Sequence, residues 1–181
     1  MYKLIITFIF FIIIPIQLFA DQNDKRLNYL FDKLVIAKEE QEIHNLTNQI
    51  WKIWHEIDDP TMTREFETGV QMMNLGYFQR SIDYFDKVIM KNPNFAEAWN
   101  KRATAHFMMG NFDLSMQDIS KTLQLEPRHF GALDGMSLIF IHTNQHEKAI
   151  EIYDKMLEIF PYSIGTQLKK EKMLSLSNKS T

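Results

Sequence analysis

The sequence predicts an all-α protein: a superhelix of three stacked helix pairs, preceded by a helical hairpin and closed by a capping helix. Three observations carry this. Pro93, Pro127 and Pro161 stand 34 residues apart, and each closes a helix-compatible run. Small residues recur in phase with them at two fixed positions, and glycine or asparagine recurs at a third. A 34-residue period in a chain with only six glycines and five prolines points to a helical repeat, not to a β or disordered chain.

The chain opens with MYK and then LIITFIFFIIIPIQLFA at 4–20, almost wholly apolar, before DQNDKR. This is the layout of a secretory signal, with cleavage expected after Ala20 despite the bulky Leu18. The 17-residue run is short of the roughly 20 that span a bilayer, and Pro15 interrupts it. A retained inner-membrane anchor is the alternative.

Residues 21–61 predict an N-terminal helical hairpin. Leu27, Leu30, Phe31 and Leu34 share one helical face, and Ile43, Leu46, Ile50, Trp54 and Ile57 share another. Carried upstream, the 34-residue phase makes 28–61 a degenerate repeat. It lacks a turn glycine, and KEEQE at 38–42 contains no helix breaker, so one long bent helix stays open as well. Asp58 and Asp59 before Pro60 read as turn or capping residues, not as an acid–base pair.

With each proline counted as position 32, the repeats run 62–95, 96–129 and 130–163. Gly69, Ala103 and Ser137 occupy position 8, and Ser81, Ser115 and Ala149 occupy position 20. Small residues there let paired helices approach to ordinary packing distance. Gly76, Gly110 and Asn144 at position 15 suit a left-handed helix end. Phe78, Phe112 and His146 start the second helix, and Phe85, Ile119 and Tyr153 fill the interface at position 24. The proline stops that second helix. Residues 164–176 predict a polar capping helix, and 177–181 a fraying tail.

The copy AEAWNKRATAHFMMGNFDLSMQDISKTLQLEP resembles the tetratricopeptide repeat. It carries Trp99, Ala103, Gly110, Phe112 and Pro127 where that family carries tryptophan, glycine or alanine, glycine, tyrosine and proline. Departures are Glu65 at position 4, Thr68 and Arg102 at 7, and Val88, Thr122 and Met156 at 27. The pairing of LFDKL with IWKIW also resembles the leader segment of small exported bacterial members. Trp99 is expected to be a buried inter-helix anchor.

The resemblance implies a concave groove lined by the first helices. Its expected lining is Phe66, Asn100 and Asp134 at position 5, Val70, Thr104 and Leu138 at 9, Met73, Phe107 and Ile141 at 12, and Asn74, Met108 and His142 at 13. A largely apolar groove of this kind takes a peptide or an amphipathic helix. Trp51 and Trp54 of the hairpin could instead fill it. The clamp by which some members hold acidic chaperone tails is absent, because its positions hold Phe66, Val70, Lys101, Gly131 and Gly135.

Other constellations point nowhere. The chain has no cysteine, which removes disulfides and thiol chemistry. A net charge of −3 argues against nucleic acid as a partner. His142 and His146 have a metal-like spacing, but Asn144 breaks the helix between them. His106 reads as a hydrogen-bonded core histidine, and Met72, Met73, Met108 and Met109 read as packing. No enzyme, cofactor or metal site is expected. The expected function is a periplasmic or secreted adaptor of the bacterial cell envelope that binds another protein or peptide. The alternative is a structural or assembly subunit, self-associating or tethered through 4–20, with its groove filled by its own N-terminal helices.

Overall fold

The computed structural model describes residues 24–178, and the expected signal segment at 1–20 lies outside them. Among the described residues are nine helices and no strand. They are α1 (Lys25–Ile36), α2 (Glu40–Trp54), α3 (Pro60–Asn74), α4 (Phe78–Lys91), α5 (Ala96–Met108), α6 (Phe112–Leu125), α7 (Phe130–His142), α8 (His146–Ile159) and α9 (Ile164–Ser177). None is long and apolar enough to cross a membrane.

Local chemistry sets the helix ends. Asp24 caps α1 by accepting from the Arg26 N–H at 2.8 Å. Asp59 caps α3 by accepting from the Met62 N–H at 2.6 Å, and Pro60 follows at the first helical position, where a missing N–H costs nothing. Gly76, Gly110 and Asn144 have φ of 78°, 75° and 54°, the left-handed conformation expected of position 15. The hairpin breaks without a glycine or proline: α1 stops at Ala37, extended at φ −66° and ψ 124°. The continuous bent helix is therefore not formed.

The pairs α3/α4, α5/α6 and α7/α8 pack through the small residues. The Phe85 ring lies where a Cβ on Gly69 would sit, 2.8 Å from its Cε1. Ser115 Oγ donates to the Ala103 carbonyl at 2.8 Å, and Ser137 Oγ lies 3.1 Å from Tyr153 Oη. Trp99 differs from expectation. It is only half-buried, with Nε1 donating to the Pro93 carbonyl at 2.9 Å and the Arg102 guanidinium 4.8 Å above its ring.

A further copy in series would rest on α3. Instead α1 packs against α8. Leu27, Leu30, Phe31, Leu34, Ile43, Ile50 and Trp54 share one core with Phe130, Leu133, Ile152, Tyr153 and Met156 of the third repeat and Met173 of α9. The Arg128 guanidinium lies 4.0 Å from the Phe31 ring centre. The hairpin thus reaches across the array to its far end.

Gly69→Ala should cost about 1–3 kcal/mol by overpacking, because the fully buried Phe85 ring has no room to retreat. Urea unfolding checks this; a change under about 0.5 kcal/mol would mean the pair relaxes freely.

Candidate functional site

Helices α3, α5 and α7, the first of each pair, line one side of the array. The end of α2 lies on them. The Trp51 indole covers Gly131 so closely that a Cβ there would stand 2.6 Å from Cη2. Trp54 stacks on His129 with ring centres 4.1 Å apart and planes 9° from parallel. His55, just past α2, meets the Phe66 ring edge-on at 5.8 Å.

A buried carboxylate ties this end down. Glu97, 1% exposed, points Oε1 at Lys101 Nζ (3.0 Å) and His55 Nε2 (3.1 Å). Its Oε2 accepts from Asn100 Nδ2 at 2.9 Å and faces His129 Nε2 at 3.0 Å. Burial alone would raise the Glu97 carboxyl. The charge of Lys101 and the hydrogen bonds from His129 and His55 outweigh it and hold the group well below its ordinary value. Burial works in the opposite direction on His55, and the bond and charge of Glu97 leave its imidazole raised.

Beyond Trp51 the groove stays open. A cleft of about 190 Å³ lies between α5 and α7, floored by Ser115 and Ile119 of α6. Five of the expected residues line it: Asn100, Thr104, Phe107, Asp134 and Leu138, together with Ala103, Gly131 and Gly135. The Asp134 carboxylate also accepts from Lys169 Nζ at 2.6 Å. The other expected residues fall elsewhere. Phe66 is buried under His55, and Val70 and Met73 pack on the first-repeat core. Ile141 packs on the core shared with the hairpin. Asn74, Met108 and His142 are exposed near the helix ends, His142 with its ring 5.3 Å from Phe107.

The sequence reading missed Glu97, His55 and His129 and gave Lys101 no role. One sign was available: an acid at position 2 lies one helical turn before the expected lining position 5 and needs counter-charges if buried. Nothing in the sequence says which. His106 is half-buried, with Nδ1 unpartnered and Nε2 4.0 Å from Asp118, so it is not the hydrogen-bonded core residue expected. Among the described residues no group of three or more His, Cys, Asp or Glu side chains could hold a metal ion.

The tetratricopeptide repeat pattern matches residues 131–162. A TPR repeat-containing protein of Rhizobium etli is 31% identical over 137 residues, covering 76% of this chain and 67% of that protein. The chain belongs to the tetratricopeptide repeat family. Other curated relatives are longer, and this tetratricopeptide chain spans between 10% and 49% of their length. The first tetratricopeptide domain of Spaghetti (RPAP3), solved with an HSP90 peptide SRMEEVD, superposes with TM-score 0.61 at 19% identity, over 67% of this chain and 99% of that one. MamA superposes with TM-score 0.60 at 19% identity, over 87% and 84%. At these identities the likeness is one of fold.

Trp54→Ala should cost about 3–5 kcal/mol, as for a fully enclosed large aromatic, and Trp99→Ala about half that. Equal losses in chemical unfolding would contradict the packing described. Glu97 makes an acid-side prediction. Its folded value lies below the ordinary 4.5, so its stabilisation is present above 4.5 and is lost as pH falls through the lowered value. Urea unfolding at stepped pH should show that acid-side loss in the native chain and a shallower one in Glu97→Gln.

Proposed function

We propose that this protein is a non-enzymatic adaptor of the bacterial cell envelope that binds a peptide or helix of another protein in the cleft between α5 and α7. The open cleft itself is the observation that carries this reading. Phe107 and Leu138 offer apolar contact, while Asn100, Thr104 and Asp134 offer hydrogen-bonding groups. At about 190 Å³ it is smaller than the roughly 300–1,000 Å³ of small-molecule sites and suits side chains of a docked segment. Fold relatives such as the Spaghetti domain, solved with a chaperone peptide, support the class of activity. They do not carry over that ligand, since Trp51 covers Gly131 and Lys101 is engaged by Glu97. The envelope location rests on the apolar run at 4–20 and its small-residue end at Ala20.

The half-filled groove favours a second reading, an assembly subunit that associates with itself. Ile164 and Leu168, exposed one turn apart on α9, would be the contact.

A photo-crosslinking residue placed at Leu138 should capture a partner in cells. The same residue at Met90, 84% exposed and outside the cleft, should not. Adducts from both positions or from neither overturn the groove reading; an adduct of the chain with itself selects the second. N-terminal sequencing of the fractionated protein decides whether 1–20 is removed.

A further inference from the structure

Two histidines face the Glu97 carboxylate, and they are wired differently. His129 Nδ1 accepts from the Ala132 N–H at 3.2 Å, so a single proton on Nε2 satisfies both its nitrogens. His55 has no such donor. Its Nδ1 lies 2.7 Å from the Trp51 carbonyl and its Nε2 3.1 Å from Glu97 Oε1, so both nitrogens face oxygen acceptors. Only the doubly protonated ring turns an N–H towards each; the Glu97 contact is an ion pair and not an aligned hydrogen bond, since Oε1 has no hydrogen-bond partner. A neutral ring must turn a lone pair towards one of them.

We propose that His55 is a proton-operated latch, holding the end of the N-terminal hairpin over the groove when protonated and releasing the His55–Glu56 turn when neutral.

The location fits a gate. His55 begins the short link between α2 and α3, and its side chain is 36% exposed, so protons reach it. The charged groups around it are few. Glu97 and Lys101 come from α5 and His129 from the cap of α7, and α3 meets it with the Phe66 ring. Lys101 opposes a charge on His55, while Glu97 and the Trp51 carbonyl favour it. The balance raises the imidazole above its ordinary 6.5. The latch is therefore fully closed below 6.5 and loosens as pH rises through the raised value. At the acid end it holds until Glu97 is protonated, below 4.5.

Trp54 stays seated, since it is enclosed and stacked on His129. What moves is the turn beyond it. Its release uncovers Phe66, extending the open cleft towards α3. This regulatory consequence rests on the groove function proposed above; the latch does not.

Amide exchange on the full chain tests it without a ligand. The His55 and Glu56 amides bond to the Trp51 and Ile53 carbonyls and should report the closed turn. Corrected for intrinsic rates, their protection should fall at least about threefold from about pH 6 to about pH 8. The Glu126 amide, which caps the end of α6 by bonding to the Thr122 carbonyl, should hold steady. In His55→Gln the same amides should be weakly protected at both values, with no pH dependence. Equal protection at both pH values in the native chain, or an undiminished pH dependence in His55→Gln, overturns the latch. The yield of the Leu138 adduct, measured separately, should rise at the higher pH. A flat yield beside a working latch removes its link to binding and leaves the latch itself standing.

Discussion

Everything in this fold depends on two helices being allowed to touch. A full side chain at position 8 would wedge each pair apart, and the sequence avoids this in three chemically different ways. Gly69 leaves the space to the Phe85 ring. Ala103 exposes its own carbonyl to Ser115, and Ser137 meets Tyr153 through a polar contact. Each pair then closes through a left-handed residue at Gly76, Gly110 or Asn144. Once the pairs close alike, their first helices fall into one row, and a groove follows from the geometry of stacking.

The hairpin turns that generic groove into a particular one. It buries its two apolar stripes on the third repeat and α9, so the largest core among the described residues joins the hairpin to the far end of the array. Gly131 makes this possible: a bare stretch of α7 gives Trp51 a flat seat. Displacing the whole hairpin would expose Leu27, Leu34, Ile50 and Trp54 together, at roughly 1.5–3 kcal/mol for each side chain. A peptide in the proposed groove would therefore use the space the hairpin leaves free, or the small part of it proposed to move.

Much of the fold was legible. Turn residues, small positions and the Asp59–Pro60 helix start are local signals, and each was read from its own few residues. The break at Ala37 was not, because no local residue demands it; Ala37 is extended and 1% exposed, held there by packing. Periodicity told which faces of α1 and α2 are buried but not against what, so a serial repeat and a fold-back looked alike. The same gap explains the groove. Equating positions across repeats treats the three as equivalent, and the hairpin abolishes that equivalence by covering Phe66 and leaving Leu138 open. Trp99 was misjudged for a related reason. A repeat signature marks a residue that packs, whereas its exposure depends on neighbours such as Pro93 and Arg102.

The buried carboxylate shows how a structural device can also be a variable one. Glu97 needs compensation, since a lone charge removed from water is costly. Surrounding it with three charged bases would replace one imbalance with another. The Ala132 N–H avoids this by occupying His129 Nδ1, so that ring donates a hydrogen bond without needing a second proton. Lys101 supplies an ammonium. What remains undecided within the cluster is the proton on His55, and that ring sits at the one place where the hairpin hands the chain over to the repeats. The atom arrangement that completes the fold thus leaves a single exchangeable proton at the edge of the groove, and the extent of the exposed surface follows from where that proton resides.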